Sequence, residues 1–252
     1  MIQKERIALI TGGSSGIGLE LAKLAHADGY KVVLVARNAK RLAAASKELP
    51  GSEVIQADLA QPDSPKLIAK KLRGRPVHLL VNNAGFGDRG AFFTADYERT
   101  QQMINTNVAA LTLLTRLLLP DMIRQGSGRI LNVASTAAFQ PGPFMSVYYA
   151  SKAYVLSFSE GLASELEGTG VTVTALCPGP TTTGFAKGAG SENTRLFRNA
   201  MPAAKVAAIG YKAMSHAKRT VVPGLRNKIA AFILGRLVPR KVAADFARRV
   251  QE

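Results

Sequence analysis

The chain has 252 residues, with 33 lysines and arginines against 17 acidic residues, a net charge of +16, no tryptophan and one cysteine. That length suits one large α/β domain with a substantial core. The lone Cys177 excludes an internal disulfide framework, fits a reducing compartment, and is expected as a small apolar residue of a buried strand. No continuous apolar run approaches the roughly 18–20 residues that cross a bilayer. Met1 to Arg6 lacks a signal peptide's apolar stretch, so a cytoplasmic location is expected.

Short β-rich apolar runs alternate along the chain with longer segments of helical period. Ile7 to Ile10 reads as a first strand, followed by a glycine-rich turn; Ile17, Leu21, Leu24 and Ala25 then fall on one helix face. Lys31–Ala36 is the second strand, with a helix near Lys40–Glu48, and Glu53–Ala57 the third, with a helix at Lys66–Leu72. Val77–Val81 is the fourth strand, and a long helical region from about Tyr97 to Gln125 leads to a fifth at Arg129–Ala134. A helix near Tyr148–Glu167 precedes the strand Val171–Leu176, and Val221-Val222 suggests a short seventh. Continuous apolar strands separated by helices predict a parallel sheet covered on both faces. The expected fold is a Rossmann-type, doubly wound, seven-stranded α/β sheet in a single domain over residues 1–252, with ligands at the carboxyl ends of its strands.

Thr11-Gly12-Gly13-Ser14-Ser15-Gly16-Ile17-Gly18 joins the first strand to the first helix. Glycine permits a sharp turn and close backbone approach to a pyrophosphate, and the helix start offers free N–H groups and a positive dipole end. An acidic residue ending the second strand would bind the ribose 2′-hydroxyl of NAD. Here the sequence is Val35-Ala36-Arg37-Asn38, and the Arg37 guanidinium can fork onto a 2′-phosphate, with Ser14 or Ser15 adding hydroxyl donors. NADP(H) is therefore expected in preference to NAD(H), and no metal.

With these motifs, Asn82-Asn83-Ala84-Gly85, Ser135, Tyr148-Tyr149-Ala150-Ser151-Lys152 and Pro178-Gly179 in order, the chain resembles a short-chain dehydrogenase/reductase from Ile7 to about Thr183. The resemblance implies that Asn83, Ala84 and Gly85 close beneath the adenosine, that Asp58-Leu59 meets the adenine, and that Pro178, Gly179 and Thr183 hold the nicotinamide end. It implies Asn107 as the catalytic asparagine, with Ala110 replacing the usual glycine and Asn105 a nearby competitor. It also implies pairing into a homo-oligomer, a dimer or tetramer, through the two long helices.

Tyr148 and Lys152 are four residues apart and share a helix face, which Tyr149 does not. A nearby ammonium favours phenolate, so Lys152 is expected to lower the Tyr148 pKa. The expected reaction moves hydride between the nicotinamide and a carbonyl or alcohol: Ser135 and Tyr148 hold the oxygen and Tyr148 transfers the proton. From the resemblance, Lys152 also reaches the nicotinamide ribose and Asn107 supports a water relay behind it. Phe86, Phe139, Phe144 and Phe185, with Pro141, Pro143 and Met145, suggest an apolar ketone, aldehyde or acyl substrate, and glycines at 184, 188 and 190 suggest a lid over residues 181–200. The alternative is a dinucleotide-binding regulatory or scaffold protein without turnover.

After Pro223-Gly224 come two candidate amphipathic helices separated by Pro239, making residues 224–252 a basic extension. The first carries Leu225, Ile229, Ile233 and Leu237 among Arg226, Lys228 and Arg236; the second carries Val242, Phe246 and Val250 among Arg240, Lys241, Arg248 and Arg249. They either pack on the domain or a partner subunit, or lie on a membrane surface as a peripheral anchor. Nucleic acid is disfavoured, because no recognition motif accompanies the charge.

Overall fold

A computed structural model describes residues 5–191 and 200–251, with side chains to residue 249. Residues 1–4, residues 192–199 of the expected lid, and the Val250 side chain lie outside the described residues. The first half of the chain runs β1 (Ile7–Thr11), α1 (Gly16–Ala27), β2 (Lys31–Ala36), α2 (Ala39–Lys47), β3 (Glu53–Gln56), α3 (Ser64–Lys71) and β4 (Val77–Asn82). It continues through α4 (Tyr97–Ile104), α5 (Leu111–Arg124), β5 (Gly128–Val133), α6 (Ser146–Glu165) and β6 (Val171–Leu176). Then come β7 (Thr181–Thr182), α7 (Phe185–Gly188), β8 (Met201–Pro202), α8 (Ala203–Ser215), β9 (Thr220–Val221), α9 (Leu225–Phe232) and α10 (Arg240–Gln251).

Seven strands form one parallel sheet in the order β3-β2-β1-β4-β5-β6-β9. Alternate residues of each strand feed opposite faces. Leu9, Val33, Val35, Leu80 and Ile130 meet Ile68, Leu72, Leu114, Leu118 and Met122 on one side. Ile10, Val32, Leu34, Leu79 and Leu131 meet Leu21, Leu42, Val206 and Met214 on the other. The chain turns outward in both directions from β1 and β4, so a crevice opens at their carboxyl ends.

α4 runs through a π-helical turn, Asn105–Ala110, directly into α5. This 28-residue helical run is long and apolar enough to cross a membrane by length and composition only. Its Leu111, Leu114, Leu118 and Met122 are buried. A buried amide network ties the strands beneath the crevice: Asn82 donates to Thr115 (3.0 Å) and to Asn132 (2.9 Å), and Asn132 donates to Ser159 (2.9 Å).

The tail folds back over the domain. α9 passes through a second π turn, Ile233–Leu237, before α10. Contrary to the expected apolar stripe, the buried residues are Ala231, Ala243 and Ala247, whereas Leu225, Ile229, Ile233 and Leu237 are exposed. Small residues win the inner side because the approach is close. A Cβ on Gly235 would sit 3.3 Å from that of Phe139, and one on Gly179 would sit 2.5 Å from the Asn227 amide.

Candidate active site

The carboxyl ends of β1 to β6 contribute to one cavity of about 740 Å³, within the range of ligand sites. At the end of β1, Gly12 (φ +63°) and Gly16 (φ +56°) adopt left-handed conformations that favour glycine. A Cβ on Gly12 would lie 2.7 Å from Asn83 Nδ2, and one on Gly18 would lie 2.4 Å from both that atom and the Gly12 carbonyl oxygen. The glycines thus let the β1 and β4 ends interlock. Asn83 Nδ2 donates to the carbonyls of Thr11 (3.0 Å) and Gly12 (3.2 Å), and the Thr11 hydroxyl accepts from the amides of Asn83 (3.0 Å) and Ala84 (3.1 Å). The α1 start carries no side-chain cap and no acidic residue, leaving its N–H groups facing a cavity lined by Gly12, Ser14, Ser15, Gly16 and Ile17. Gly18 is a packing glycine that does not line the cavity.

Past β2, Asn38 caps α2 by accepting from the Arg41 amide at 2.9 Å, and both Arg37 and Arg41 line the cavity. Asp58, Leu59, Asn83, Ala84 and Gly85 form the adjoining wall, and Pro178, Gly179 and Thr183 the far one. Asp58 is held in a tight turn, accepting from the Ala60 amide at 3.1 Å and, through its carbonyl, from Ser64 at 2.6 Å.

Between these walls α6 presents Tyr148 and Lys152, both buried. Ser135 caps a short turn after β5, its Oγ accepting from Ala137 N (3.1 Å), and lines the same cavity as Tyr148. Lys152 Nζ donates to the Val133 carbonyl at 2.8 Å. Asn107 does not line the cavity; it sits behind Gly85, accepting from Phe86 N (3.1 Å) and donating to Phe86 O (2.9 Å) and Ser151 Oγ (3.0 Å). A Cβ on Gly85 would lie 3.1 Å from Asn107 Oδ1 and 3.3 Å from Lys152 Nζ, so these two groups converge on one spot. Asn105 instead donates to the Ala60 carbonyl at 2.9 Å, away from Lys152.

Phe86, Phe139 and Phe185 line the cavity beside Tyr148, with Phe185 5.2 Å from the Tyr148 ring centre. Phe144 does not. It holds a left-handed conformation (φ +63°) and faces the Arg248 guanidinium 5.4 Å away, outside the cavity with Pro141 and Pro143.

The short chain dehydrogenase family profile matches residues 6–194 of this arrangement. The chain belongs to that family. It is 36% identical over 180 residues to a ketoacyl reductase, HetN, of Nostoc sp., covering 69% of this chain and 63% of the relative, so the match spans less than two thirds of that protein. A short-chain dehydrogenase from Sphingobium yanoikuyae in complex with NADPH superposes with a TM-score of 0.81 at 32% identity, over 97% of this chain and 94% of that one. A short-chain dehydrogenase/reductase from Burkholderia phymatum in complex with NAD gives 0.81 at 26%, over 92% and 94%.

In this short-chain dehydrogenase, burial dominates the electrostatics of the site. Burial pushes the Tyr148 phenol well above its ordinary range against the opposing pull of the Ser135 hydroxyl, so the expected lowering by Lys152 is not what the structure gives. The ammonium faces the Val133 carbonyl and lies 5.8 Å from the Tyr148 ring centre. Burial likewise lowers Lys152 to about 8 and pushes the Cys177 thiol up to about 12. Sequence reasoning missed Arg41, whose signal was its spacing of four from Arg37 at a helix start. It also missed Asn227, Ala230, Ala231, Leu234, Phe246 and Ala247, which close the cavity from the tail. Among the described residues, no three His, Cys, Asp or Glu side chains gather as metal ligands would.

Proposed function

We propose that this oxidoreductase is an NADPH-dependent carbonyl reductase acting on bulky apolar ketones, aldehydes or acyl compounds. The observation that carries the reading is one cavity with a glycine cradle and paired arginines at one end and Tyr148, Ser135 and Lys152 in its interior. The cradle suits a pyrophosphate, since Gly12, Ser14, Ser15, Gly16 and Ile17 line the cavity at an α1 start that no side chain caps. Arg37 and Arg41 suit a 2′-phosphate, and no carboxylate replaces them at the β2 end. Asp58 and Leu59, with Asn83, Ala84 and Gly85, would flank the adenosine, and Pro178, Gly179 and Thr183 the nicotinamide.

Bound NADPH supplies the hydride that reduces the carbonyl carbon. Ser135 donates a hydrogen bond to the substrate oxygen. Tyr148 transfers its phenolic proton to that oxygen as the alcohol forms. Lys152 stabilises the phenolate that results, and Asn107 fixes the Gly85-Phe86 turn against which the lysine packs. The described part of the expected lid, with Thr181, Thr183, Gly184, Phe185, Lys187 and Gly188 in the cavity wall, would cover the substrate. Exposed Ile104, Leu113, Leu117 and Tyr154 on α4–α6 support pairing with a second copy through those helices.

The test is oxidation of NADPH and of NADH against a graded panel of ketones, aldehydes and 3-oxoacyl thioesters. Turnover with NADPH, strongest for bulky apolar carbonyls, supports the reading. Tight NADPH binding without turnover on any member supports a regulatory protein instead, and absence of NADPH binding removes the cofactor reading.

A further inference from the structure

The tail helices have two unlike sides. Their inner side is built of alanines and closes the cavity. Their outer side is large and apolar: Leu225 is 73% exposed, Leu237 66% and Phe232 53%, with Ile229 and Ile233 on the same stripe and Val242 on α10. Single exposed apolar residues are ordinary, but a stripe along a whole helical segment marks an interaction surface.

Charge identifies the occupant. Arg226, Lys228, Arg236, Arg240, Lys241 and Arg249 flank this stripe with Asp245 as the acidic residue among them, and none of the six forms an ion pair among the described residues. A second copy seated on the same face would bring these cations against their equivalents, which costs free energy in a self-complementary interface. Nucleic acid would match the charge but leave the leucine and isoleucine stripe against water. An anionic bilayer surface satisfies both, with cations at the headgroups and apolar side chains below them.

We infer that α9, the π turn after it and α10 dock this protein on an anionic membrane surface, with the tail wall of the cavity next to the lipid. Phe246 gives the orientation: it lines the cavity and is also half exposed on the outer side, so the apolar surface runs from bilayer to cavity interior. A carbonyl compound dissolved in lipid reaches Tyr148 along that surface. This delivery step rests on the function proposed above; the docking does not.

The experiment is co-sedimentation of the full chain with phosphatidylglycerol-containing vesicles and with phosphatidylcholine vesicles, at low and high salt. Its partner is the Ile229→Ser/Phe232→Ser variant, whose side chains lie outside the cavity. Cooperative thermal unfolding, measured on both proteins, reports an intact fold. Docking predicts binding to the anionic vesicles, weakening with salt, and a partition lower by about tenfold or more in the variant, as expected from losing two buried apolar side chains. Equal sedimentation of parent and variant overturns it, as does absence of binding to anionic vesicles. A parent that is dimeric where the variant is monomeric also overturns it, making the stripe a subunit interface. Failure of both proteins to bind NADPH would strike the proposed function and leave the vesicle result standing.

Discussion

Lys152 Nζ donates to the Val133 carbonyl oxygen at 2.8 Å and does not reach for the Tyr148 hydroxyl four residues earlier on the same helix. Burial lowers this lysine to about 8. Its charge is what stabilises the phenolate left after proton transfer, so kcat/KM for carbonyl reduction should fall as pH rises through about 8. Tyr148 itself stays protonated over that window, because burial pushes it upward. A pH–rate profile flat from 7 to ~10 would contradict this assignment of roles.

The same lysine has a stability consequence. Between pH 8 and 10.5 the unfolded chain holds the lysine proton and the folded chain releases it, so stability of the parent rises with pH across that window. Replacing the buried ammonium by Lys152→Met should therefore stabilise the fold at pH 7 by about 3 kcal/mol while abolishing turnover. The gain should shrink as pH climbs past 8, read from denaturant midpoints at several pH values.

Arg37→Ala combined with Arg41→Ala should raise KM for NADPH about 100-fold or more and leave KM for NADH nearly unchanged, since each charge-assisted hydrogen bond to a 2′-phosphate contributes about 1.5–3 kcal/mol. Parallel titrations with the two cofactors give the answer. An equal loss for both would mean that the arginines act elsewhere.

Gly18 faces Asn83 and the Gly12 carbonyl, and an added Cβ would stand 2.4 Å from each. Gly18→Ala should cost about 1–3 kcal/mol of stability and weaken both cofactors alike, because it pushes apart the β1 and β4 ends. Thermal unfolding and NADPH titration test the two halves of that statement.

The tail forms part of the cavity, so Ala247→Leu should narrow it. KM for bulky ketones should rise about tenfold while that for small ketones changes little, within the discrimination expected of one apolar side chain. A uniform loss across the substrate panel would point to displacement of α10 instead.

The sheet was legible because its strands are near-continuous apolar runs, and strand, turn and helix signals agree from Ile7 to Leu176. The glycine turn, Arg37, Ser135 and the Tyr148–Lys152 spacing placed one cavity's lining before any coordinates, since each follows a strand end or a helix period. Three features were not legible. Whether Phe144 enters the cavity depends on a left-handed turn at a non-glycine residue, which local sequence disfavours. The Tyr148 environment depends on how deeply three elements bury it, and charge spacing alone mispredicts its direction. The tail sequence left open whether its apolar stripe packs inward or faces a membrane, because helical period alone does not say which side meets the domain; here the alanines at 231, 243 and 247 are buried and the large residues turn out.

The central claim is that Tyr148 carries the proton to the substrate oxygen, and the most direct measurement is NADPH turnover by Tyr148→Phe beside its NADPH dissociation constant. The account predicts a loss of turnover of about a thousandfold or more, within what a positioned proton donor contributes, with cofactor affinity nearly unchanged. Turnover within a few-fold of the parent would contradict it.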